Sequence, residues 1–144
     1  MQQQLTNVIE DSEWTPDTGE LQFPTGLTVL ISGNYRWEDR LIANTIALYF
    51  PDSKTARAAG SDLREALHRT NIYELVVLDE MLLCGDDRME ILRALECRFP
   101  KPKIAVYGTR FFSGSPEYPL AVDLHIPKTW PMDELARRVC LLFQ

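Results

Sequence analysis

Three residues with usable chemistry stand at comparable places in this 144-residue chain, each just after an apolar run. Asp79 closes the run YELVVLD at 73–79, Thr109 follows the run at 104–107, and Lys128 follows the one at 124–127. A carboxylate at the end of an apolar strand has two uses. It accepts hydrogen bonds from the amides of the next loop, or it works as a functional group at the rim of a sheet. Taken alone, Thr109 is a turn hydroxyl and Lys128 a surface ammonium. Other chemistry has little to stand on. The two histidines, His68 and His125, are far apart, and His68 lies in a charged helical stretch, REALHRT. Cys84, Cys97 and Cys140 are odd in number and widely spaced, which fits reduced thiols better than a disulfide framework or a zinc knuckle. Gly33 follows its apolar run alone, whereas a dinucleotide-binding turn needs three glycines at set spacing.

For these three to act together, the elements before them must be neighbouring strands. Residues 27–32 form a continuous apolar run with β-branched members, as a buried strand does, and Gly33-Asn34 ends it. Residues 37–50 read as a helix, with Leu41, Thr45 and Leu48 at helical spacing beside Ile42, Ile46 and Tyr49, and Pro51-Asp52 stops it. Residues 53–58 are a weak second strand. Gly60 turns the chain, Ser61 can cap, and Leu63, Ala66 and Leu67 line one face of a second helix. Residues 73–79 are the clearest buried strand, 87–99 a helix stopped by Pro100 and Pro102, and 104–107 a fourth strand. The stretch 109–120 holds Gly114, Pro116 and Pro119 and makes a poor, irregular fourth helix. A short strand at 124–127 precedes a last helix at 131–143, with Leu135, Val139 and Leu142 inward; its early Asp133 and Glu134 and later Arg137 and Arg138 complement the helix dipole. Strands alternating with helices predict an α/β fold, a doubly wound five-stranded parallel sheet. Ligands collect at the carboxyl ends of such strands, where Asp79, Thr109 and Lys128 fall. Residues 1–26 read as an acidic N-terminal extension and 27–144 as the domain. The extension carries Glu10, Asp11, Glu13, Asp17 and Glu20 with no Lys or Arg, and Leu21 and Phe23 either trail with it or pin it to the domain.

Together, VVLDEML at 76–82, IAVYGT at 104–109 and DLHIPKTW at 123–130 resemble the receiver domain of bacterial two-component response regulators, over residues 27–143. The resemblance implies a flavodoxin-like fold and a role for each residue. Asp79 would accept a phosphoryl group from a histidine kinase, Thr109 would bind the phosphate, and Lys128 would pair with the carboxylate and then with the phosphoryl oxygens. Phosphoryl transfer needs an oxygen nucleophile, charge neutralisation and positioning, and little else. The departures matter as much. Receivers carry two acidic residues just after the first strand that help hold Mg²⁺, and here Gly33 and Asn34 stand in those places. A hard cation wants carboxylate oxygens. Glu38 and Asp39 lie a turn further on and are expected to be solvated, with Glu80 and Asp86 weak stand-ins. No cofactor is expected, Mg²⁺ at most weakly, and Asp79 should be phosphorylated poorly or not at all. Aspartates at both 33 and 34 should restore metal binding. His125 occupies the switch position, where the family has Tyr or Phe.

Net charge is −6, and no basic run announces nucleic-acid binding; an acidic chain repels phosphate backbones unless a cluster overrides that. No apolar run reaches membrane-spanning length, and no basic-then-apolar start marks a secretion signal, so a cytoplasmic location is expected. The expected function is an atypical receiver in bacterial signal transduction that acts mainly by protein contact and is not a turnover enzyme. The alternative is a working phospho-acceptor of a phosphorelay, phosphorylated on Asp79. Expected partners are a histidine kinase, a phosphotransfer protein or an output protein, or a second copy of the chain. Arg110, Phe111, Phe112 and Tyr118 gather aromatics and an arginine, residue types enriched at interface hot spots; the other reading is that Phe111 and Phe112 plug the place of the missing helix.

Overall fold

Unbroken apolar strands need cover on both faces, and the chain supplies it with helices on each side of one sheet. A computed structural model describes residues 21–69, 72–84, 88–98, 100–109 and 122–144. The strands are β1 (Thr28–Ser32), β2 (Lys54–Arg57), β3 (Leu75–Asp79), β4 (Lys103–Gly108) and β5 (Leu124–Pro127). They pair in parallel in the order β2-β1-β3-β4-β5. The helices are α1 (Arg36–Tyr49), α2 (Leu63–Leu67), α3 (Arg88–Glu96) and α4 (Met132–Leu141), with 3₁₀ turns at Gly60–Asp62 and Glu80–Leu83. The predicted fold class is therefore the one observed.

Side-chain parity divides the core. Val29, Ile31, Leu75, Val77, Ala105 and Tyr107 pack on one face against Ile42 and Ile46 of α1 and Leu135 and Val139 of α4. Leu30, Val76, Leu78, Ile104 and Val106 pack on the other against Leu63 and Leu67 of α2 and Ile91 and Leu95 of α3. All five residues of β3 are buried, because it lies at the centre of the sheet. Strand β2 is an edge and is exposed throughout. Its Lys54 and Arg57 are the charged residues that discourage an edge from pairing with another chain.

Helix α1 offers the sheet more than one apolar stripe. Its buried stripe is Asp39, Ile42, Thr45 and Ile46, while Leu41 is 47% and Leu48 70% exposed. Two apolar stripes overlap on this helix, and the sheet takes the one that continues into fully buried Phe50. Residues 21–26 lie against the domain. The Phe23 ring meets Phe50 edge-on at 5.2 Å, the Gly26 amide donates to the Pro51 carbonyl at 2.9 Å, and Gln144 Nε2 donates to the Gln22 carbonyl at 3.0 Å. Residues 1–20 of the extension, Asp86, and the stretch 110–121 with the irregular fourth helix, Arg110, Phe111, Phe112 and Tyr118 lie outside the described residues. Among the described residues no helix is long and apolar enough to cross a membrane.

The two stripes of α1 are separable by truncation. Ile46→Ala is expected to cost about 2–5 kcal/mol, and Leu48→Ala less than about 0.5 kcal/mol. Urea unfolding of the two variants checks the contrast.

Candidate functional site

Strands β3, β4 and β5 end at one edge. Asp79 is in register with Tyr107, and Gly108 with Pro127, so Asp79, Thr109 and Lys128 leave the sheet at neighbouring points. The first turn of α1 overhangs this edge and adds Glu38 and Asp39.

Asp79 is fully buried. Its Oδ1 accepts from the Met81 amide at 3.0 Å and caps the Glu80–Leu83 turn. Its Oδ2 faces Lys128 Nζ at 3.5 Å. The ammonium lies closer to Glu38 Oε1, at 3.1 Å, with the rings of Tyr107 and Tyr35 centred 5.3 and 5.9 Å away. Burial pulls the Lys128 pKa down, but the Glu38 hydrogen bond and the charges of Asp79 and Glu38 outweigh it and hold the pKa above the usual lysine value. Lys128 is thus a cation shared by two carboxylates.

Asp39 is 1% exposed, where a solvated residue was expected. Its Oδ2 pairs with Arg57 Nε at 2.5 Å, and its Oδ1 accepts from the Tyr107 hydroxyl at 2.8 Å. Burial, then the Asp39 hydrogen bond and the nearby charges of Asp39, Asp79 and Glu38, push the Tyr107 phenol far above the ordinary tyrosine value. Glu38 is likewise turned inward, with its side chain 13% exposed. The inward turn of both follows from helix geometry: Asp39 precedes Ile42 by three residues and Ile46 by seven, on the same buried stripe.

Glu80 is also buried, at 3% exposure. Its Oε1 accepts from the Thr109 amide at 2.9 Å. Glycine at 108 leaves room for this bond, because a Cβ there would overlap the Glu80 carboxyl group and force it to shift. Thr109 is therefore tethered through its backbone while its side chain is exposed. The Lys128 amide donates to the Gly108 carbonyl at 3.1 Å, tying the ends of β4 and β5.

Gly33 is more than a missing carboxylate. A Cβ at this position would overlap the Tyr107 hydroxyl and lie 2.5 Å from Asp39 Oδ1. The Tyr107–Asp39 pair occupies the space that an aspartate at 33 would need, so a side chain there has to displace the Tyr107 hydroxyl. Asn34 is exposed. His125 is half-buried on β5 opposite Val106, and Trp130 lines the same cleft as Lys128, of about 130 Å³, with the Arg138 guanidinium 5.1 Å from its ring. Among the described residues no group of three or more His, Cys, Asp or Glu side chains is arranged to hold a metal ion.

No family model matches the sequence, and no curated protein sequence matches it. Solved structures do. A signal receiver domain of a two-component histidine kinase from Clostridium thermocellum superposes with a TM-score of 0.69 at 14% identity, covering 81% of this chain and 97% of that one. The response regulatory domain of protein mrkE from Klebsiella pneumoniae gives 0.64 at 14% identity, covering 81% and 95%. A structure of the P1 domain of CheA3 in complex with CheY6 from R. sphaeroides gives 0.63 at 24% identity, covering 83% and 98%. The chain has the fold of a response-regulator receiver domain.

Two outcomes follow from the geometry. The Tyr107 and Lys128 protons are held more tightly in the folded state than in the unfolded one, so both contributions are complete below about pH 10 and are lost as pH rises further. Between about pH 10 and 12, Tyr107→Phe should make the fall in unfolding free energy shallower by up to about 1.4 kcal/mol per pH unit, as measured by urea unfolding. Gly108→Ala should cost about 1–3 kcal/mol through overlap with Glu80. A double-mutant cycle with Glu80→Ala should return a coupling of about 0.5–3 kcal/mol between the two positions.

Proposed function

We propose that the chain is an atypical receiver domain of a bacterial signalling system, cytoplasmic, working by protein–protein contact and not by Mg²⁺-dependent phosphorylation of Asp79. One observation carries the reading: among the described residues, Asp79, Glu38 and Asp39, three carboxylates at this edge, each already serve another group. Asp79 serves the Met81 amide and Lys128, Glu38 serves Lys128, and Asp39 serves Arg57 and the Tyr107 hydroxyl.

Receiver chemistry implies Mg²⁺, and the residues present do not fit it. Mg²⁺ demands near-octahedral oxygen ligands at about 2.0–2.1 Å and commonly takes one or two carboxylates. Freeing Asp39 would leave Arg57 and the buried Tyr107 hydroxyl without their acceptor. Freeing Glu38 and Asp79 would displace Lys128. Lys128 meets Asp79 as the receiver resemblance implies, and what sets this edge apart is that Glu38 is held by Lys128 and Asp39 by Arg57 and Tyr107. The burial of Asp79 points the same way, since a phosphoryl donor must reach an exposed oxygen.

The alternative, a phospho-acceptor of a phosphorelay, keeps one argument: Asp79, Thr109 and Lys128 do end neighbouring strands. In that reading Lys128 releases Glu38 to meet the phosphoryl oxygens. The partner proposed under either reading is another signalling protein. The solved complex of the CheA3 P1 domain with CheY6 shows the kind of encounter meant.

Acetyl phosphate with millimolar Mg²⁺ separates the two. Intact-mass analysis should show no phosphoryl adduct, and beryllofluoride with Mg²⁺ should leave the amide NMR shifts around Thr109 and His125 in place. A stoichiometric adduct that Asp79→Asn abolishes would assign the chain to the phosphorelay reading.

A further inference from the structure

A second charged site lies apart from Asp79, on the other side of α1. Arg36 and Arg40 stand one turn apart and so share a face of the helix. Strand β2 sets Thr55 and Arg57 opposite them, and with Asp39 and Ala43 they line an open cleft of about 420 Å³. Of the three arginines only Arg57 is ion-paired within the described residues, to Asp39. Three guanidinium groups against one carboxylate leave two positive charges over, on a chain whose net charge is −6.

The backbone of the edge strand adds donors. The amides of Lys54 and Ala58 bond inward to Leu27 and Ile31 of the β1 side. By alternation the amides of Thr55 and Arg57 point away from the sheet, where no strand pairs with them. The cleft therefore presents guanidinium forks, the Thr55 hydroxyl and, among the described residues, the unpaired edge amides and carbonyls of β2, with the one carboxylate of its lining already engaged by Arg57. Its charged groups sum to a positive site that suits an anion. The planar guanidinium fork matches phosphate oxygens bidentately, and two such forks one turn apart hold a tetrahedral dianion in a way that point charges do not.

We propose that this cleft is a binding site for a small phosphate-bearing dianion, held by Arg36 and Arg40 with Thr55 and the β2 edge, and oriented by the fixed Arg57–Asp39 pair. The site is independent of whether Asp79 is ever phosphorylated. Through Asp39, whose other oxygen holds the Tyr107 hydroxyl, a ligand in the cleft would touch the same network that closes the receiver pocket.

The test uses the full chain with inorganic phosphate and pyrophosphate as probes and the arginine Nε–Hε NMR signals as readout. Saturable shifts of Arg36, Arg40 and Arg57 are expected. Arg36→Gln and Arg40→Gln, both at exposed positions, should each weaken binding about tenfold or more. Arg93→Gln removes the same charge from the exposed face of α3 and should leave binding unchanged. Shifts that stay linear with concentration, or an equal loss in Arg93→Gln, would overturn the site. Succinate bound as tightly as pyrophosphate would show that the cleft reads charge and not phosphate, and would also overturn it. Binding that emerges only after Glu10, Asp11 and Glu13 are changed to amides would assign the cleft to the chain's own acidic segment instead. Failure of the Asp79 reading moves none of these outcomes.

Discussion

The ammonium of Lys128 is the charge on which the carboxyl edge of this sheet depends. A buried carboxylate without a partner costs several kcal/mol, and Asp79 is buried completely. Lys128 meets it from the end of β5 and meets Glu38 from the first turn of α1, so one cation joins three elements. A second linkage runs beside it: Asp39 of α1 holds Arg57 of β2 and the Tyr107 hydroxyl of β4. Between them the two linkages tie the start of α1 to the ends or neighbours of all five strands, since Arg57 also reaches the Gly33 carbonyl after β1 at 3.5 Å. Packing of Ile42 and Ile46 fixes the body of the helix, and these charges fix its beginning.

Much of this was legible in the chain. The unbroken apolar run at 73–79 identified the central strand, and the places of Asp79, Thr109 and Lys128 after their strands put all three on one edge. The acidic residues of the first helix were misjudged. Taken singly, Glu38 and Asp39 look like solvated charges, which is what most acidic residues are. Taken with Ile42 and Ile46, Asp39 belongs to the buried stripe, and the period of the helix contained that information. Glu80 was read only as a weak metal stand-in, and its burial went unread for a related reason. It follows a strand buried on both faces, and only the close approach permitted by Gly108, distant in sequence, gives its carboxyl a place to go. The arginine cleft was invisible for a third reason. Arg36 and Arg40 come from a helix and Arg57 from the next strand, so no local run of basic residues marks them.

Asp79 illustrates how one residue can satisfy two readings. From sequence it was either an acceptor for loop amides or a functional carboxylate. In the structure its Oδ1 caps the following turn and its Oδ2 meets a cation, so the residue already has structural work at both oxygens. Thr109 is held in the same spirit: its amide is fixed on Glu80, and its hydroxyl is left outside. The three residues end neighbouring strands, and the interactions around them are internal to the fold.

The pairing of Gly33 with Tyr107 makes two positions, far apart in sequence, behave as one. A Cβ at 33 would overlap the Tyr107 hydroxyl and lie 2.5 Å from Asp39 Oδ1. A side chain added at 33 must move the phenol, and an acidic one must also face a like charge. Removing the Tyr107 hydroxyl opens the space but takes from Asp39 the donor at its Oδ1. Any redesign of this corner therefore has to treat residues 33, 39 and 107 as a single unit.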